Sequence, residues 1–191
     1  MRQLKILSVA TLVGSMLFAA QASAGAVTDL YRSGAYGLPW NATKDAIQAK
    51  YPGGKWAQND KGQEQYCASS KQTLLKLPAP HQSRELCFVI GSDGTLASAT
   101  AVMDASLPSL LAIVNRCRTT FGDFDAVVRD QQAIQSRSTA MLWTKDKQYV
   151  VRIVSENDTD GRPLMVSYTV ADEPEMYTGG AAKVSNIPGS R

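Results

Sequence analysis

The chain has 191 residues, 44% hydrophobic and 19% charged, with 20 basic against 17 acidic residues and a formal net charge of +3. Three cysteines are too few for a disulfide scaffold, and a charge this close to neutral gives no basic footprint for nucleic acid. A domain near 150 residues buries roughly 68–70% of its unfolded surface, so a chain of this size folds on its apolar core and not on cross-links.

The chain opens with Arg2 and Lys5, continues through the uncharged run Ile6 to Ala20, and closes that run with Ala22-Ser23-Ala24. Basic, apolar and small-residue segments in this order predict a secretory signal over 1–24, cut after Ala24. The expected location is therefore the periplasm, or outside the cell. Two of the basic residues lie in this leader and none of the acidic ones, so the processed chain would be almost neutral. The competing reading is an uncleaved anchor, but Gly14, Ser15 and Gln21 dilute the run. No later stretch approaches 18 consecutive apolar residues, so no stable membrane insertion is expected after cleavage.

Gly25 to Ala35 reads as a lead-in with at most a helical turn. A helix is expected over Thr43–Tyr51, with Asn41 or Thr43 as cap and Pro52-Gly53-Gly54 as stop. Strands follow over Gln63–Ser69, Leu86–Ile90 and Leu96–Met103, the last two separated by the turn Gly91-Ser92-Asp93-Gly94. Between the first two strands, Lys71 to Arg84 contains two prolines and the one histidine, and most of it reads as an exposed loop. Leu107-Pro108 opens a stronger helix to Phe121, capped by Ser106 and stopped by Gly122. Its apolar stripe is taken as Leu107, Leu110, Leu111, Val114, Cys117 and Phe121. After an ambiguous stretch over 123–137, strands are predicted at Thr139–Thr144, Gln148–Ser155 and Leu164–Val170. The segment 172–191 is rich in glycine and proline and is expected to be disordered.

The predicted fold class is α+β: two helices packed on antiparallel sheet, with a tandem helix–sheet repeat as an option. One domain spans 25–171, with halves at 36–104 and 105–171. The capped helix Thr43-Lys44-Asp45-Ala46-Ile47, ending in Tyr51-Pro52-Gly53, followed by sheet, resembles two groups of small exported proteins. These are the BamE-type outer-membrane assembly lipoproteins and the β-lactamase inhibitor proteins, whose repeated helix–sheet halves form a concave protein-binding surface. The resemblance implies an architecture and a role in protein binding. It carries over no functional residue, and the lipidated cysteine of the first group is absent here.

The chemistry-bearing residues are sparse. His81 is the single histidine, which removes His-Glu-x-x-His and any two-histidine metal site. Its setting, Pro78-Ala79-Pro80-His81-Gln82-Ser83, reads as an exposed loop and not as the rigid mount a general base needs. Neither Gly-x-Ser-x-Gly nor a Ser-x-x-Lys in the processed chain is present. Cys67 and Cys87 lie on adjacent predicted strands and form the expected disulfide, with Cys87–Cys117 as the competing pair. Cys117 falls on the helix stripe and reads as a buried thiol. Glu156, Asp158, Asp160 and Gly161 imitate half a calcium loop, but position 12 is Ser167, so a solvated turn is expected and no metal. No phosphate-binding loop precedes a helix, so no nucleotide or other cofactor is expected. Trp143 reads as core. Trp40 and Trp56 flank the first helix and are the candidate partner-binding residues.

With no catalytic residue assigned, the leading expectation is a non-catalytic binding protein acting on a protein partner, as inhibitor, immunity factor or envelope-assembly accessory. A binder of a small ligand or envelope polymer comes second. A hydrolase working through carboxylates comes third.

Overall fold

The computed structural model of the protein describes residues 25–59, 61–130, 137–144, 148–158, 160–172 and 182–183. The predicted leader lies outside them. The fold is α+β and dominated by strands. Among the described residues there are three helices: α1 (Ala26–Tyr31), α2 (Lys44–Lys50) and α3 (Leu107–Phe121). Four strands follow α2: β1 (Lys55–Gln58), β2 (Glu64–Ser69), β3 (Ser83–Ile90) and β4 (Leu96–Met103). Four more follow α3: β5 (Ala126–Asp130), β6 (Arg137–Trp143), β7 (Val150–Asn157) and β8 (Pro163–Ala171). A two-residue strand, β9 (Ala182–Lys183), lies within the segment expected to be disordered. The rest of that segment beyond Asp172 lies outside the described residues.

All nine described strands form one antiparallel sheet in the order β1-β2-β3-β4-β8-β7-β6-β5-β9. Each set of four is a meander, and the two meanders meet where β4 pairs with β8. One row of directly opposed residues crosses eight strands: Lys55, Cys67, Cys87, Thr100, Thr169, Arg152, Leu142 and Ala126. Because side chains alternate across a strand, this row and every second row from it share one face.

The helices begin and end where local chemistry dictates. The Thr43 hydroxyl accepts the Ala46 N–H and caps α2, leaving Asn41 outside the helix. The Ser106 hydroxyl accepts the Ser109 N–H at the start of α3. Gly122 stops α3 with a φ of 83°, a left-handed backbone that glycine adopts without strain. Gly54 has a different reason. A Cβ there would come within 2.5 Å of the Cys67 carbonyl oxygen and the Tyr66 ring, while its N–H donates to the Tyr66 hydroxyl at 2.9 Å.

One apolar cluster joins Val27 and Tyr31 of α1, Ile47 of α2, and Ile113, Cys117 and Phe121 of α3 to one sheet face. That face presents Tyr66, Phe88, Ala101, Ile153 and Tyr168. The orientation of α3 differs from the predicted stripe. Leu107 and Leu111 are 55% and 52% exposed, and Leu110 and Val114 are half-buried. The buried row is Ser109, Ile113, Cys117 and Phe121, spaced by four. Ser109 can lie in this row because its hydroxyl is hydrogen-bonded. A stripe chosen by hydropathy alone passes over it. In the core the Tyr31 and Tyr168 hydroxyls meet at 2.5 Å, and burial raises the pKa of both phenols and of the Cys117 thiol.

Candidate functional site

The sheet face away from the helices carries a cleft of about 250 Å³. Its described lining residues divide equally between the two halves of the chain, so it sits astride the β4–β8 junction. Thr100 and Thr169 face each other there, their hydroxyls 2.9 Å apart. Arg152 is directly opposite Thr169 on β7, and Glu156 lies four residues further along the same face. Gln65 contributes from β2 and opposes Val89 on β3. The β1–β2 turn supplies the rim. Asn59 Oδ1 accepts the Lys61 and Gln63 N–H groups, each at 3.0 Å, and both residues border the cleft.

The described lining combines hydroxyls and amides with the apolar side chains of Val89, Val154 and Met165, and Lys61, Arg152 and Glu156 are its charges. Every described aromatic ring belongs instead to the helix-side cluster. The cleft can exchange hydrogen bonds and ion pairs with a guest but offers no ring to stack on. Sequence reasoning did not single out these residues. A signal for them does exist: Ser98 and Thr100 on β4, and Ser167 and Thr169 on β8, recur at period two within otherwise apolar strands.

The residues that the sequence did single out lie elsewhere. Trp40 stacks on Tyr149 with ring centroids 5.6 Å apart, and its Nε1 donates to the Tyr31 carbonyl at 2.7 Å. Trp56 packs on Tyr66 at 5.0 Å, with the Lys44 ammonium 5.5 Å from its ring centroid. Lys44 also pairs with Glu64. Both tryptophans are half-buried against the helix-side cluster and are not near the cleft lining.

Cys67 and Cys87 are disulfide-bonded, as directly opposed residues of β2 and β3 with Cα atoms 4.1 Å apart. Cys117 is free and buried. The competing Cys87–Cys117 bridge would have to pass through the sheet, because Cys87 faces away from α3.

His81 is not the exposed loop residue that the sequence suggested. It is half-buried, its Nδ1 3.2 Å from the Ser109 hydroxyl, which in turn takes a hydrogen bond from the Ser106 hydroxyl at 2.9 Å. Its segment is anchored by buried Leu74 and Leu77 and by a bridge between Thr73 and Gln82. Serine and histidine meet, but Ser109 is 4% exposed and is tied into the helix cap. Among the described contacts no carboxylate orients the imidazole. The pair serves to dock the loop on α3. The half calcium loop is a hairpin turn in which Asp158 Oδ1 accepts the Asp160 and Arg162 N–H groups.

No described helix is long and apolar enough to cross a membrane. Comparison with known protein families, curated proteins and solved structures finds no match to this chain.

Proposed function

We propose that this protein is exported to the periplasm, or secreted, and acts there without catalysis by binding another protein across the β4–β8 junction. The observation that carries this reading is the cleft, built by both halves on the face that the helices leave to the sheet. A docking site of this kind suits an inhibitor, immunity or envelope-assembly accessory role. The order helix then four-stranded meander, twice over, supports the further reading that the chain is a tandem repeat of one helix–sheet unit.

Three features rank the alternatives. An envelope glycan would find no aromatic ring on this face among the described residues, and sugars are commonly gripped by stacking against such rings. A small ligand would find about 250 Å³, below the roughly 300–1,000 Å³ of typical enclosed ligand sites. A two-carboxylate hydrolase would find Glu156 alone among the described lining residues. Docking is assigned to the cleft and not to Trp40 and Trp56, whose rings are engaged in internal packing.

The test is cross-linking in envelope extract with the wild-type chain and with Thr100→Arg and Thr169→Arg, after circular dichroism shows each variant folded. The protein captured by the wild type should be lost from both variants. Equal capture by all three would sink the cleft assignment, and recovery of a glycan in its place would favour the polymer reading. Export is tested separately: the intact mass of the periplasmic chain should begin at Gly25.

A further inference from the structure

Apart from the cleft, the same sheet face brings together the Sγ atoms of Cys67 and Cys87 and a carboxylate oxygen of Glu85, all within 4.8 Å of one another. The arrangement follows from register. Cys67 opposes Cys87, and Ser69 opposes Glu85, two residues back along β3. Glu85 and Cys87 therefore project to one side of a single strand, and Cys67 enters from the next. Lys55 stands opposite Cys67 on β1. Cys67 and Glu85 are only half-buried, so the group opens to solvent.

We infer that Cys67, Cys87 and Glu85 form a two-state site, a disulfide when oxidised and a zinc site when reduced. The ligand chemistry selects the metal. Two thiolates and one carboxylate suit borderline Zn²⁺, and three protein ligands leave a fourth tetrahedral position for water. Two Zn–S bonds of about 2.3 Å in tetrahedral geometry place the sulfurs roughly 3.8 Å apart. That separation is reached by side-chain rotation alone from Cα atoms 4.1 Å apart. The conversion balances. A dithiol reductant gives two electrons and two protons to the disulfide and leaves as its own disulfide, and the chain gains two thiols. Zn²⁺ then binds both sulfurs and releases the two protons to solvent. Metal and disulfide exclude each other because they use the same sulfur electrons, so a metal-loaded chain is protected from oxidation until the metal is withdrawn.

The probe is Co²⁺, titrated into the full chain after phosphine reduction and again into the oxidised chain. The reduced chain should take up one equivalent and show a near-ultraviolet thiolate-to-cobalt band, and Zn²⁺ should displace it. The oxidised chain should show none. Cys117→Ser should leave the band unchanged, and Cys67→Ser should remove it. Glu85→Gln, which still forms the disulfide, should weaken Co²⁺ at least roughly tenfold, since even outer-shell losses at metal sites cost 10–100-fold. If reduction unfolds the chain, recovery of the circular dichroism spectrum with one equivalent of Zn²⁺ is the expected result. Absence of the band in the reduced chain, a band that depends on Cys117, or no refolding with Zn²⁺ would each overturn the assignment. None of these readouts involves the cleft or its partner.

Discussion

Leu111 and Ile113 lie two residues apart on α3 and have opposite fates: the first is 52% exposed, the second fully buried. Truncating a buried aliphatic side chain costs about 2–5 kcal/mol through lost transfer energy and the cavity left behind. Ile113→Ala should fall in that range by urea denaturation, and Leu111→Ala should stay within about 0.5 kcal/mol of the parent. The buried phenols set a pH limit. Burial holds Tyr31, Tyr36 and Tyr168 neutral in the folded chain to above their usual value of 10.0. An unfolded chain ionises them near that value. Below pH 10 both states keep the protons, and no stability is at stake. Above it the unfolded state alone loses them, so stability falls as pH rises further. Alkaline titration followed by tyrosinate absorbance should show these rings ionising only as circular dichroism reports unfolding.

At the scale of elements, the ends of helices were more legible than their faces. Ser106 and Gly122 bound α3 as read from sequence, because caps are local chemistry. Ser106→Ala should cost about 1 kcal/mol, the usual value of a lost cap, measured as a shift in the urea midpoint. The face of α3 could not be read so directly, since Ser109 is buried through partners on a distant loop. Six strands were legible from apolar and β-branched runs. β1 and β5 were not. β1 turns only Trp56 inward among exposed neighbours, and β5 is five residues whose apolar part is the short run Ala126-Val127-Val128. The cleft's hydroxyl residues leave a period-two signal, but their meeting was illegible: Thr100 and Thr169 come together only because β4 pairs with β8, which no local pattern encodes. The disulfide was legible as one of two pairings, and the sheet's two faces settle which. Replacing both Cys67 and Cys87 by serine should cost roughly 3 kcal/mol, the chain-entropy value for a loop of similar length, with the shift read in thermal or urea melts.

For the molecule as a whole, strand order governs how the chain assembles. Nearly every pairing joins strands adjacent in sequence. The exceptions are β4 with β8, and the two-residue β9 with β5. Loop-closure entropy therefore weighs mainly on one long-range step, while the meanders on either side can form from local contacts. Such a chain should fold by building a meander first and closing its seam late. Interactions absent from the transition state act on the unfolding rate. In stopped-flow chevrons, Val166→Ala at the seam should accelerate unfolding and leave the folding limb nearly unmoved. Phe88→Leu, inside the first meander, should slow folding. The seam would then be the part of the native structure that sets how long a folded molecule lasts, and the hairpins the part that sets how quickly it appears.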